Sequence, residues 1–235
     1  MFLPRWNGQP DSCTNLRRAD NLVLAMTDCS PEIEAKLIAP SAQELLKLPE
    51  HIKALGFHIS ETRRFVCLDH YLDTPDLDIF RGGWALRLRD FSGTQLLTLK
   101  ALSTPSVDGI AKREEIEQEV EWDGGVELDF DDGVLGGELT HLVQDKTLWQ
   151  LFHIRQDRMQ FDLVTEDGLN IEASMDQVRW EGQDAIDLGF EVELELKSGS
   201  EDDLRLLVQR LVERTDWQPA TASKFVRGLG VAGLV

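Results

Sequence analysis

The chain has 235 residues, of which 43 are acidic and 24 basic, giving a formal net charge of −19 at pH 7. That balance excludes the basic face a nucleic-acid partner needs, but not a phosphate ligand gathered by cations that converge locally. At 42% apolar and 29% charged the composition is that of a globular chain able to bury a core, and neither a membrane partner nor a destination outside the cytoplasm is expected, since no apolar run is long enough to span a bilayer.

Residues 1–30 are rich in Pro, Asn, Asp and Ser and show no lasting periodicity, so they are expected to be a disordered tail ahead of a folded region at 31–235. A chain begun at Met26 is expected to keep its fold and activity. The first periodic stretch is Glu32-Ile33-Glu34-Ala35-Lys36, a strand with two carboxylates and an ammonium on one face. Ser41 and Glu44 then have capping-box spacing, and Pro49 divides the segment up to Gly56 into two short helical pieces or one kinked helix. Phe65 to Leu72 predicts a strand, with Asp69, Tyr71 and Asp73 on one face. Trp84–Asp90 and Gln95–Leu102 predict a hairpin across Phe91-Ser92-Gly93-Thr94. Residues 103–111 read as a polar loop. Lys112–Trp122 reads as a strand with Arg113, Glu115, Glu117 and Glu119 on one face.

The Gly- and Asp-rich stretch 123–137 is expected to be a surface loop, and Leu139–Phe152 has helix-compatible apolar spacing. Three strands are predicted at 153–164, 169–180 and 186–197. The last alternates strictly, with Glu191, Glu193 and Glu195 on one face. Ser200 caps a helix whose Leu204, Leu207, Val208, Leu211 and Val212 form one apolar stripe, and 222–230 closes the chain as a turn or short helix. The sum is mainly β (α+β): about eight strands, without a β-α-β rhythm, and peripheral helices. An antiparallel closed barrel or tunnel suits that pattern.

Charged strand faces ordinarily point to water. Here, however, acids gather on the first, middle and last strands and cations on the hairpin, where exposed neighbours would mix signs. Arg87 and Arg89 share a face and can each grip phosphate oxygens, with Lys100 opposite. On the residues alone an exposed salt-bridged ribbon remains equally open. On the inward reading, losing either arginine should weaken anion binding roughly tenfold to a hundredfold with little change in stability. Phosphate-cradling glycine loops and nucleophile-elbow motifs are absent. Cys67 and His70 are too sparse a pair to argue for zinc, and the five histidines are scattered.

Glu32-x-Glu34-x-Lys36, Tyr71-Leu72-Asp73-Thr74-Pro75, Arg87-x-Arg89, Lys100, Arg113, Arg158, Asp176, the Glu191/Glu193/Glu195 strand and Ser223-Lys224 occur in order. Together they resemble the CYTH superfamily, the triphosphate tunnel metalloenzymes, over about residues 31–230, and within it the bacterial inorganic triphosphatases. The resemblance implies an eight-stranded antiparallel tunnel. It implies triphosphate or another polyphosphate as substrate, held by Lys36, Arg87, Arg89, Lys100, Arg113, Arg158 and Lys224. It implies Mg²⁺ or Mn²⁺ held by Glu32, Glu34, Glu191, Glu193 and Glu195, with Asp176 and Glu115 nearby, and catalysis centred on Lys36, Glu193 and Glu195. Hydrolysis of inorganic triphosphate to pyrophosphate and phosphate is the first expectation. A class IV-type adenylate cyclase, a thiamine triphosphatase and a non-catalytic polyphosphate- or nucleotide-binding module are the alternatives.

Overall fold

A computed structural model describes residues 31–91, 93–103, 108–122, 134–144, 146–181 and 186–235. The strands are β1 (Glu32–Ile38), β2 (His58–Ile59), β3 (Arg63–Asp73), β4 (Trp84–Phe91), β5 (Thr94–Ala101), β6 (Ile110–Arg113), β7 (Glu115–Glu119), β8 (Trp149–Val164), β9 (Asn170–Glu181), β10 (Ile186–Ser198) and β11 (Gln218–Pro219). The helices are α1 (Ala42–Leu45), α2 (Leu48–Ala54), α3 (Asp78–Arg81), α4 (Val134–Val143), α5 (Glu201–Arg214) and α6 (Lys224–Val231).

All strand pairing is antiparallel, in the order β11-β1-β10-β9-β8-β3-β4-β5-β7, with β2 on β8 and β6 on β1. The sheet comes round on itself through residues 110–119. β6 pairs with β1 (Glu32 opposite Arg113), while β7, one residue further on, pairs with β5 (Lys100 opposite Glu115). One stretch of chain, broken only at Glu114, thus bridges the two sides of a nearly closed barrel. Nine strands lie in pairing succession where the sequence predicts eight; the two-residue β11 makes the difference, and the break at Glu114 sets β6 off that path.

Two expectations at element borders change. The stretch 103–111 already enters a strand at Ile110, because Gly109, at φ +77°, lies so near β1 that a Cβ there would meet the Lys36 carbonyl at 2.7 Å. Leu139–Phe152 is not one helix. α4 ends at Val143, and a strand begins at Trp149 because Leu72 and Asp73 of β3 pair with Gln150 and Trp149 beyond a register shift. Of the predicted loop 123–137, the described part is the opening turn of α4, and 123–133 lie outside the described residues. Pro49 sits in the first turn of α2, where its missing N–H costs nothing, so two short helices form.

Outward faces of the barrel make two cores. Ala35, Leu37, Phe161, Ile171, Val192 and Leu194 pack under α1, α2 and the α5 stripe of Leu204, Leu207, Val208 and Leu211. Leu86, Leu88, Leu97 and Leu99 of the hairpin pack against Ile79 of α3 and Leu135, Leu139 and Val143 of α4. A third cluster lies inside the barrel. Tyr71, Ala85, Phe152, Ile154, Val178 and Trp180 close round Phe225 and Leu229 of α6, which stops one end of the lumen. The Trp180 indole N–H donates to the Lys224 carbonyl at 2.9 Å, and the Arg227 guanidinium lies 4.1 Å over the Trp180 ring.

Gly228 makes that docking possible, since a Cβ there would fall 2.1 Å from Phe152 Cε2. Gly228→Ala is therefore expected to destabilise the fold by about 1–3 kcal/mol or more, because Phe152 is itself hemmed in by Tyr71 and Phe225. A thermal melt of the variant checks this.

Candidate active site

Alternation along each strand decides what the lumen contains. β1 turns in Glu32, Glu34 and Lys36; β4 turns in Arg87, Arg89 and Phe91; β5 turns in Leu96, Thr98 and Lys100. The 110–119 stretch supplies Arg113, Glu115, Glu117 and Glu119, β8 supplies Arg158 and Gln160, and β10 supplies Glu193 and Glu195. These side chains enclose a cavity of about 680 Å³, and Ser223, Lys224 and Phe225 form its floor. Asp176 and Glu191 lie behind this surface, at 0% and 4% exposure. The apolar partners of the hairpin point out, as the inward reading requires.

Each lumen cation rests on carboxylates. Lys36 Nζ lies 2.8 Å from Glu193 and 3.2 Å from Glu34. Lys100 contacts Glu32 and lies 3.0 Å from Glu115, and Arg113 contacts Glu34. Arg158 donates Nε and Nη2 to Asp176 at 2.7 and 2.6 Å, and Nη2 also to Glu193 at 2.7 Å. Lys224 donates to Asp176 at 2.7 Å and Glu193 at 2.9 Å. Arg87 is held most loosely, with Thr98 Oγ1 at 3.2 Å and Glu115 at 3.6 Å.

The titration behaviour comes from these contacts. Burial opposes ionisation of Glu193, but Lys224, Lys36 and Arg158 outweigh it and hold the carboxyl well below the usual range. Burial likewise opposes the charge on Lys36, and Glu193 more than restores it, so the ammonium is held above its ordinary value. Burial pushes Glu191 and Glu195 up, because Lys224 and Lys36 near the first and Lys197 beside the second compensate only in part. Glu195 lies in contact with Lys197 at 2.6 Å.

Asp69, which the sequence leaves as one acid on a strand face, is a firmly anchored group near the cavity, as Asp176 is. Fully buried, it accepts Arg89 Nε at 2.6 Å, Arg89 Nη2 at 2.8 Å and Gln156 Nε2 at 2.6 Å. Arg89 therefore spends its fork on Asp69, not on the open lumen. The available signal was the shared face of Cys67, Asp69 and Tyr71; the missing one was the register that sets Asp69 opposite Arg89. Burial would raise the Asp69 carboxyl, but Arg89, Arg87 and Arg158 bring it down to about 2. A depressed carboxylate contributes stability that is present above its unfolded pKa and lost as pH falls toward the folded value. Unfolding free energy is therefore expected to drop as pH falls from about 4 to about 2. Asp69→Asn should flatten that part of the profile, measured by urea unfolding at stepped pH.

The lumen carboxylates suit a divalent ion in kind before they suit it in place. Among the described residues no three acidic, His or Cys side chains already converge on one point, since the carboxylates face ammonium and guanidinium groups instead. The donor set nevertheless fits a hard cation. β1 and β10 place Glu34 opposite Glu195 and Lys36 opposite Glu193, so Glu32, Glu34, Glu193 and Glu195 bring hard carboxylate oxygens to one wall of the lumen. Cys67 and His70 point to opposite faces, Cys67 into the cavity and His70 out to Gln150 and Trp122.

A closed antiparallel barrel with facing rows of lumen cations and carboxylates defines a class, the charged β-tunnel. The CYTH domain family model matches residues 30–229, and the chain belongs to that family. The fold is shared with a Hippeastrum protein described as a candidate adenylyl cyclase with a dominant triphosphatase activity. That protein is 20% identical, with a TM-score of 0.56 over 85% of this chain and 95% of that one. It is also shared with a candidate adenylate cyclase of Bacillus halodurans, 20% identical, with a TM-score of 0.60 over 84% of this chain and 97% of that one. No curated protein sequence matches the chain. Among the described residues no helix is long and apolar enough to cross a membrane.

Proposed function

We propose that the protein is a metal-dependent hydrolase of inorganic triphosphate, releasing pyrophosphate and phosphate. The observation that carries this reading is the lumen itself: Lys36, Arg87, Lys100, Arg113, Arg158 and Lys224 aim into one cavity from five strands and a helix, opposite Glu32, Glu34, Glu193 and Glu195. A chain of three phosphoryl groups is the small ligand that matches cations spread along a tunnel.

In this reading Arg87, Lys100 and Arg113 bind phosphoryl oxygens from one side of the lumen, and Lys36, Arg158 and Lys224 from the other. Arg89, tied to Asp69, contributes field more than a fork. Glu32, Glu34, Glu193 and Glu195, with Glu115 beside them and Asp176 and Glu191 behind, would hold Mg²⁺ or Mn²⁺, which would supply charge neutralisation and polarisation of a water. Water attacks the terminal phosphorus, the bond to the bridging oxygen breaks, and pyrophosphate leaves with that oxygen. Glu195 accepts the proton of that water, while Lys36 and Arg158 stabilise charge on the phosphoryl oxygens.

The test is a panel of inorganic triphosphate, ATP, thiamine triphosphate and longer polyphosphate with Mg²⁺ or Mn²⁺, scoring phosphate, pyrophosphate and cyclic AMP separately. Phosphate release from inorganic triphosphate that stops with chelator and returns with either ion is expected. Cyclic AMP as the main product would make the protein a cyclase. Tight binding without turnover would make it a binding module.

A further inference from the structure

Three large apolar side chains face the charged lumen and belong to none of the three apolar clusters: Phe65, Phe91 and Leu96. All three are half-buried, at the end away from the α6 floor. The Phe65 and Phe91 rings lie with centroids 6.0 Å apart, tilted by 41°, and form an open wedge at the mouth. Packing does not account for them. At an inward position of a charged cavity, phenyl groups leave apolar surface in water, which is unfavourable unless something covers it. Glu119 stands opposite Leu96 in the β5–β7 register, and Gln160 and Lys197 line the same cavity.

Their position relative to the phosphate-binding cations is fixed by the strand. Phe91 lies two residues beyond Arg89 on the same face of β4, about 7 Å further toward the mouth. Phe65 stands opposite Arg158 in the β3–β8 register. A triphosphate gripped by Arg87, Arg158 and Lys36 therefore has its outer end beside the two rings. Inorganic triphosphate leaves them uncovered. A flat ring attached to that outer phosphoryl group would stack on them, as bases stack on aromatic platforms. The cavity volume of about 680 Å³ is in the range of sites that take organic ligands.

We propose that Phe65 and Phe91 are specificity-determining residues that admit triphosphate esters bearing a flat aromatic ring, alongside inorganic triphosphate, and set the preference between them. The inference rests on the triphosphate reading of the lumen. The ring's source is either a nucleobase or a thiamine-type heterocycle, and both share the stacking chemistry.

KM is measured for inorganic triphosphate, ATP and thiamine triphosphate with wild type, Phe65→Ala, Phe91→Ala and Phe91→Trp. Each alanine variant is expected to raise the ratio of KM for a ring-bearing substrate to KM for inorganic triphosphate by about fivefold to a hundredfold. Phe91→Trp should hold or lower that ratio. A rise for ATP alone identifies a base platform, and a rise for thiamine triphosphate alone a heterocycle platform; both support the proposal. Equal changes for all three substrates, or none in either alanine variant, overturn it while leaving the triphosphate reading intact. Failure of the wild type to turn over any of the three overturns both. Because each ratio is taken within one preparation, a partly folded variant does not mimic the expected result.

Discussion

Arg89→Ala is expected to lose about 3–5 kcal/mol of unfolding free energy, whereas Arg87→Ala, two residues away on the same face, stays within about 1 kcal/mol of wild type. The difference lies in what each leaves behind. Asp69 has no exposed surface and its charge is met chiefly by the Arg89 fork, so truncating Arg89 strands a buried carboxylate whose remaining donor is neutral Gln156. Arg87 leaves Glu115 and Glu117, which keep other partners or reach water, and Asp69, 4.0 Å away, which keeps the Arg89 fork. This replaces the sequence expectation that both substitutions are silent in stability. Binding should show the reverse order: Arg87→Ala costs roughly tenfold to a hundredfold in triphosphate affinity, since its fork is the less committed. Urea unfolding and isothermal titration in Ca²⁺ measure the two quantities. Equal stabilities for the two variants would show that Asp69 does not depend on Arg89.

The second large effect concerns Glu193. Its carboxylate contacts Lys36, Arg158 and Lys224 at 2.8, 2.7 and 2.9 Å, sharing the first with Glu34 and the other two with Asp176. A phosphate chain entering the metal-free lumen has to displace that carboxylate from all three cations. A divalent ion that draws the carboxylates to itself frees the cations, so metal and anion should each tighten the other's binding by the same factor. Glu193→Gln separates the two effects. Turnover should fall by at least a hundredfold. In excess chelator, however, the variant should bind inorganic triphosphate at least tenfold tighter than wild type, because three cations have lost one competing carboxylate, with Glu34 and Asp176 remaining on them. Titration in chelator, with and without the substitution, reads this directly. Weaker binding by the variant under those conditions would place the triphosphate away from Lys36, Arg158 and Lys224.

Much of the barrel was legible because alternation is a local property. Glu32-Ile33-Glu34 and Phe190-Glu191-Val192 display their two faces within a few residues, and the hairpin leucines reveal that the arginines turn the other way. What escaped depends on register between distant strands. Nothing near Asp69 announces that Arg89 lies opposite, nor does anything near Trp149 announce that Asp73 will extend the sheet to it. Apolar spacing from Leu139 to Phe152 suits a helix equally well, and only the pairing with β3 decides the second half. Phe65 and Phe91 gave no sign of a role for the same reason: a strand shows which residues share a face, not whether that face meets leucines or charge.

The floor made by α6 has a consequence for traffic. Among the described residues, Phe225 and Leu229 pack across one end of the lumen, so on the proposed reading substrate and products would pass by the other end. If triphosphate is cleaved there, the fragment resting on Lys224 cannot leave until the one nearer the mouth has gone, so departure is sequential and the later product should compete with the next substrate. On the proposed reading, a long polyphosphate is expected to be shortened from its tip and not threaded through.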